Sequence, residues 1–214
     1  MGFIQWPSKN IKAIYHLNDV NDSSGNSLTL TNNNTVTFVN GKFGNCAEFG
    51  ASNTNKYLSR SAVGIDLGGN AAISFWTLIE TAPNSGESQG FFWWASTTGT
   101  ARVIYFIYSN ISGTKKLILS AGGTETQYTI TLDINKWMKF DVVIGSTCYI
   151  YLNGAFLFSG SRGTGISSFN FLNLGYSYSG NPFKGRLDEV ILFNNTLTEK
   201  NITQRYIFEK GFFV

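Results

Sequence analysis

From residue 11 to residue 193 the chain is a succession of short apolar or alternating runs, broken by Gly, Asn, Ser and Thr, with almost no 3.6-residue period. Regular structure over that length has to be β-sheet. Candidate strands lie at 11–17, 28–31, 36–39, 46–49, 57–59, 72–79, 91–95, 102–108, 117–120, 127–131, 137–144, 148–152, 155–158, 169–175 and 184–193. That density, in 214 residues, is what a single jelly-roll sandwich of two antiparallel sheets requires. The sharpest local signal is Asn153-Gly154 between YIYL and AFLF, because Asn-Gly accepts the two positive φ values of a type I′ hairpin.

The period changes only at the end. Thr198 is a good N-cap, Glu199 suits the positive end of a helix dipole, Ile202 and Tyr206 share a face, and Arg205 can pair with Glu209 before Gly211 ends the helix. This short C-terminal helix is expected to lie on the sandwich without building its core. Charged residues make up only 14% of the chain and the net charge is +3, with no basic run longer than Lys115-Lys116, so no nucleic-acid partner is expected. No segment approaches a membrane span in length, and residues 1–9 carry neither a basic n-region nor an apolar h-region.

Four segments, in order, carry a family resemblance. They are IYHLND at 14–19 with DSSGN at 22–26, GKFGNCAEF at 41–49, ISFWT at 73–77, and KGRLDEVILF at 184–193 followed by the helix. Together they resemble the laminin G-like domains of the concanavalin A-like lectin/glucanase superfamily, over about residues 11–208. The resemblance implies an all-β, concanavalin A-like jelly-roll sandwich with a short C-terminal helix. It divides the chain into an N-terminal arm (1–10), the sandwich (11–210) and an apolar C-terminal tail (211–214).

The resemblance also implies where to look for one structural Ca²⁺: Asp188, with Asp22 or Asp19 and loop oxygens near Gly25 and Asn26. The alternative is that Asp22 and Asn26 form turns and that Asp188 accepts backbone hydrogen bonds. Catalysis is not expected. Glucanases of this superfamily place acidic residues at every second position of one strand, and this chain has no acidic pair at i and i+2. Asp188 and Glu189 are neighbours, which a strand turns to opposite faces. His16 is the only histidine, so His-based triads and multi-His metal sites are excluded, and it reads as a packed or edge residue. Cys46 and Cys148 read as two buried thiols, with a single long-range disulfide as the alternative.

Ligand binding is expected from aromatic residues. In the run FFWW at 91–94, alternation sends Phe91 and Trp93 to one face and Phe92 and Trp94 to the other, and only one set is needed for the core. Phe92 and Trp94, extended by Tyr105, Tyr108, Tyr176 and Tyr178, are the candidate sugar-stacking residues. The alternative is that all of them fill the interior. At the termini, Phe3, Ile4 and Trp6 before Pro7, and Phe212-Phe213-Val214, are apolar tails expected to dock on the domain or on a partner subunit.

Two functions follow. One is a lectin-like or adhesion domain binding a glycan or host-surface polysaccharide. The other is a structural virion protein, a phage decoration, head-fibre or tail subunit, that assembles as a homo-oligomer or on a capsid or tail through its termini. Both act outside a cell or on a virion surface. The lack of an export signal means that a leader has been removed or that the protein leaves the cell as part of a particle.

Overall fold

The computed structural model describes residues 10–52, 55–61, 70–95, 104–164, 171–177 and 180–211. Within them the strands are β1 (Ile11–Tyr15), β2 (Thr31–Asn33), β3 (Thr37–Asn40), β4 (Asn45–Glu48), β5 (Tyr57–Ser61), β6 (Ala71–Ile79), β7 (Ser88–Ala95), β8 (Ile104–Ile111) and β9 (Thr114–Ala121). They continue with β10 (Thr124–Thr129), β11 (Trp137–Ile144), β12 (Thr147–Leu152), β13 (Ala155–Ser161), β14 (Phe171–Leu174), β15 (Tyr176–Ser177), β16 (Asn181–Pro182) and β17 (Gly185–Phe193), and the helix α1 (Glu199–Gly211) closes the order.

Two antiparallel sheets face each other. The first runs β13-β12-β11-β6-β17-β4-β3, with β1 pairing the second half of β17. The second runs β10-β9-β8-β7-β14-β5-β2, and β15 with β16 forms a small separate ladder. The chain is therefore all-β with one C-terminal helix, the expected sandwich. At the Asn153-Gly154 turn, φ is +52° and +78°, and Leu152 faces Ala155 across it, as the hairpin expectation requires.

Between the sheets lies a phenylalanine cluster. Phe75, Phe91, Phe92, Phe106, Phe140 and Phe183 are buried, with ring centroids 5.2–6.1 Å apart across both sheets. Such offset and edge contacts add to the burial of large apolar area. The register of β7 on β8 slips by one residue between Gly90 and Phe92. This bulge lets Phe91 and Phe92 both enter the core, which strict alternation forbids.

The helix begins as its sequence dictates. Thr198 Oγ1 accepts the Asn201 backbone N–H at 3.2 Å, an N-cap bond, and Ile202 is buried against Ala72, Val143, Tyr151 and Phe193 on the outer face of the first sheet. Beneath the helix sit charges that the strand pattern alone would send to solvent. Lys139 and Asp141, two apart on β11, are fully buried and paired at 3.2 Å. Glu209 lies 3.6 Å from Lys139, accepts the Trp76 indole N–H at 2.7 Å and pairs with Arg205. Burial pushes the Lys139 ammonium down from its ordinary value and Asp141 opposes that shift. Burial also pushes Glu209 up, but Arg205, Lys139 and the indole outweigh it and hold the carboxyl below its usual range. The cluster ties the helix to the sheet.

Removing one member of such a cluster leaves a buried charge short of a partner. Glu209→Ala is expected to lower unfolding free energy by about 3 kcal/mol in urea titration, with the m-value unchanged. A loss under about 0.5 kcal/mol would mean that the helix is not held by this contact.

Candidate functional site

The cluster that fills the core also decides which aromatic residue faces outward. Phe92 and Trp94, expected to be open to a ligand, are both part of the interior cluster, as is Phe91. Tyr108 is interior too, its hydroxyl accepting the Leu132 N–H at 3.1 Å. The assignment of Phe92 and Trp94 to a binding surface is thus corrected. The bulge at Phe91 reverses the face that simple alternation gives and leaves Trp93 on the outer side of the second sheet, where it is 9% exposed.

Trp93 stands in a row that the ladder register carries across all seven strands. Opposite it lie Tyr105 on β8 and Asn173 on β14. The row continues through Ser120 on β9 to Glu125 on β10, and through Ser59 on β5 to Thr31 on β2. Phe171 meets Trp93 edge-on at 5.5 Å.

One end of the row is a polar ladder. Tyr105 Oη donates to Glu125 Oε2 at 2.8 Å, Gln127 Nε2 donates to Glu125 Oε1 at 2.7 Å, and Lys116 Nζ donates to Gln127 Oε1 at 2.9 Å. Burial, then the bond to Glu125, push the Tyr105 phenol up, so it remains a donor at neutral pH. At the other end Asn33 Nδ2 donates to Ser59 Oγ at 2.9 Å. In the middle, Asn173 is only 3% exposed and its Oδ1 has no hydrogen-bond partner. A buried amide oxygen left unsatisfied is costly unless a ligand or water supplies a donor.

Of the expected ligand residues, Tyr105 is therefore in this row. Tyr176 is on β15, in the separate small ladder and outside the row, its ring 5.2 Å from that of Tyr57. Tyr178 falls outside the described residues, as do Phe3, Ile4, Trp6 and Phe212-Phe213-Val214. Trp93, Asn173, Ser59 and Ser120 were not singled out from sequence. Trp93 was one parity choice away, whereas Asn173 and Ser59 are recognisable only through strand pairing.

Most oxygens of the expected calcium ligands are used by the protein itself. Asp22 Oδ1 accepts the Ile14 and Ser24 N–H groups at 3.0 and 2.9 Å, and its Oδ2 accepts the Ser24 hydroxyl and the Leu28 N–H at 2.8 and 3.0 Å. Those bonds outweigh burial and hold Asp22 below the usual carboxylate range. Asp19 bonds Asn21, and the Asn26 side-chain amide donates to the Lys12 carbonyl at 2.9 Å. Asp188 Oδ2 accepts the Lys42 and Phe43 N–H groups at 2.8 and 2.9 Å, so it anchors the turn between β3 and β4. Among the described residues no three His, Cys, Asp or Glu side chains form a group able to hold a metal ion. Of the oxygens on Asp22 and Asp188, only Asp188 Oδ1 is buried without a protein donor, whereas calcium takes about six to eight oxygen ligands. The melting temperature is accordingly expected to be the same in calcium and in chelator, and a fall on chelation would reinstate the metal.

Asp188 has a consequence of its own. It is fully buried, its Oδ1 has no hydrogen-bond partner, and burial pushes its pKa up to about 7 against the opposing bonds from Phe43 and Lys42. Next to it Glu189 takes φ +49° and accepts or shares a 2.7 Å hydrogen bond with His16 Nδ1, so the acidic pair is split by a bulge in β17. Cys46 and Cys148 are buried free thiols, Cys46 pushed up to about 12 by burial, with Asp188 adding to the shift.

Because the folded pKa of Asp188 exceeds its ordinary value of 3.8, its proton stabilises the fold below about pH 4, and that contribution is lost as pH rises towards 7. Across that window, wild type should lose stability relative to Asp188→Asn, which keeps an acceptor for Lys42 and Phe43 and cannot ionise. Parallel stability curves would show that Asp188 does not hold its proton.

Two antiparallel sheets around an aromatic core, with a helix after the last strand, define a lectin-like jelly roll. The chain belongs to the concanavalin A-like lectin/glucanases superfamily, whose family model matches residues 51–203. Among solved structures it is similar to domain 4 of AbnA, a GH43 extracellular arabinanase from Geobacillus stearothermophilus, solved in complex with arabinotriose. There the identity is 20%, the TM-score 0.66, and 91% of this chain and 97% of that one are covered. It is also similar to the binding domain of botulinum neurotoxin DC solved in complex with SialylT, at 15% identity and TM-score 0.72, covering 94% of this chain and 52% of that one. A third is the binding domain of Paraclostridial Mosquitocidal Protein 1, at 17% identity and TM-score 0.67, covering 93% and 52%. The chain thus spans about half the length of the toxin binding domains it matches. No curated protein matches its sequence.

Proposed function

We propose that this chain is a non-catalytic carbohydrate-binding domain that holds a sugar chain across the outer face of its second sheet. The observation that carries the reading is the row Glu125, Ser120, Tyr105, Trp93, Asn173 and Ser59, centred on the unsatisfied Asn173 Oδ1. The half-buried Tyr105 ring, beside the Trp93 indole that is 9% exposed, offers an apolar face to the C–H groups of a pyranose or furanose ring. The amide oxygen accepts a sugar hydroxyl, and the Tyr105, Glu125 and Gln127 ladder offers further donors and acceptors in fixed positions.

Glu125 is the one carboxylate on the described strands of this sheet. Glycoside hydrolysis needs two flanking the scissile bond, and this row supplies binding groups without that pair. With one carboxylate and one lysine tied into the same ladder, the face suits a neutral glycan better than a strongly charged one. The arabinotriose complex of the arabinanase domain and the SialylT complex of the toxin domain support a glycan ligand. The extracellular setting of that arabinanase supports a place outside the cell.

The test is a glycan array on the intact protein, followed by calorimetry on the best ligand. Tyr105→Ala and Asn173→Ala are each expected to weaken binding at least about tenfold, near 1.4 kcal/mol, while the fold is retained. Unchanged affinity in both variants would move the site elsewhere, and absence of any bound glycan would overturn the reading.

A further inference from the structure

At the open end of the row the hydrogen-bond ladder has a direction. An ammonium can only donate, and Lys116 Nζ donates to Gln127 Oε1 at 2.9 Å. That contact turns the Gln127 amide nitrogen towards Glu125, whose Oε1 accepts it at 2.7 Å. From the other side the single hydroxyl proton of Tyr105 goes to Glu125 Oε2 at 2.8 Å. Protons therefore converge on Glu125 from both sides. We propose that Glu125 makes this end of the row a site for free, adjacent sugar hydroxyls, so that the class of glycan selected is one whose rings carry unsubstituted vicinal diols. This selectivity rests on the glycan-binding role proposed for the same face.

An ionised carboxylate accepts and never donates, with about four lone-pair sites on its two oxygens. Tyr105 and Gln127 each occupy one, on different oxygens, so each oxygen keeps room for a further donor. Hydroxyls on neighbouring ring carbons present two O–H donors side by side, which matches two acceptors on one carboxylate. Tyr105 has committed its only proton, and burial, then the bond to Glu125, keep that proton in place. Towards a ligand its oxygen can only accept. Asn173 Oδ1, further along the row, has the same polarity.

Placement separates these acceptors from the donors of the ladder. Glu125 is exposed on the edge strand β10, beside the Tyr105 ring, so a sugar lying on that ring meets the carboxylate at its rim. Gln127 stands opposite Ile118 and Lys116 opposite Thr129, further along the strands from the Tyr105 row. A methyl ether or acetyl ester at either hydroxyl would bring another acceptor up to the carboxylate. The penalty is larger than at a neutral partner, because hydrogen bonds to an ionised acceptor are the stronger kind.

The probes are the neutral oligosaccharide held most tightly on the array, analogues with fluorine in place of each ring hydroxyl in turn, and analogues with a primary amine there instead. Fluorine removes the donor with little change in size, whereas the amine keeps donors. Calorimetry is expected to show two neighbouring positions at which the fluoro analogue binds at least about tenfold more weakly than the parent, the loss of a hydrogen bond to a charged group. At those positions the amine is expected to bind at least as tightly as the parent. Glu125→Gln brings an N–H of its own, and the preference for parent over fluoro analogue is expected to fall below about threefold.

Equal binding of the parent and every fluoro analogue would overturn the proposal, and so would an unchanged preference in Glu125→Gln. If Tyr105→Ala and Asn173→Ala still weaken binding, the carbohydrate-binding reading survives that result; if neither does, or no glycan binds, both fall. A ligand-free measurement stands beside these. The Tyr105 phenol, titrated by NMR, is expected to ionise at lower pH in Glu125→Gln than in wild type, and superimposed titration curves would remove the ladder and the proposal with it.

Discussion

Six phenylalanine rings meeting between two sheets are the contact on which the rest of this molecule depends. Phe75 and Phe140 come from the first sheet, Phe91, Phe92 and Phe106 from the second, and Phe183 from the turn leading into β17. Filling that space takes two consecutive aromatic residues of β7, and a strand can direct consecutive side chains inward only by bulging. The bulge has a second effect beyond packing. It sets Trp93 on the outer face, in register with Tyr105 and Asn173, so the demand of the core and the composition of the candidate binding face are one structural fact.

The first sheet is covered differently. Its outer face carries Lys139, Asp141, Trp76 and Asp188, polar groups that would ordinarily meet water, and α1 together with the turn between β3 and β4 removes them from it. Lys139 is compensated by Asp141 and Glu209 and Trp76 by Glu209, while Asp188 is compensated at Oδ2 alone, by the backbone N–H groups of Lys42 and Phe43. Buried charge of this kind contributes little net stability compared with apolar packing, but it penalises every misplacement of the helix. The two sheets thus divide the work, one bearing the helix and the charged cluster, the other carrying a polar and aromatic row that is open at its Tyr105–Glu125 end and nearly covered at Trp93 and Asn173.

Much of the architecture was legible in the sequence because its signals are local. Asn153-Gly154 dictates its hairpin through φ alone, Thr198 caps the helix, and the KGRLDEVILF segment forms the last strand where the family resemblance puts it. What was not legible depends on contacts between distant residues. Period-two reading cannot see a bulge, so it puts Phe92 and Trp94 on the wrong side. Nothing near Lys139 in the chain announces that a helix sixty residues later will bury it. Asp22 resembles a metal ligand in sequence, and only the folded loop reveals that four protein donors already surround its carboxylate. Asn173 has no sequence signature, since its interest lies in being opposite Trp93 and short of a hydrogen bond.

The central claim is that the outer face of the second sheet receives the sugar. It is tested most directly by titrating a bound oligosaccharide into ¹⁵N-labelled protein and following the indole and side-chain amide N–H signals. The account predicts saturable shifts of the Trp93 indole, the Asn173 amide and the Gln127 amide, with the Trp76 indole beneath α1 unmoved. Shifts confined to Trp76 and its surroundings, with the Trp93 and Asn173 signals unchanged at saturation, would contradict it.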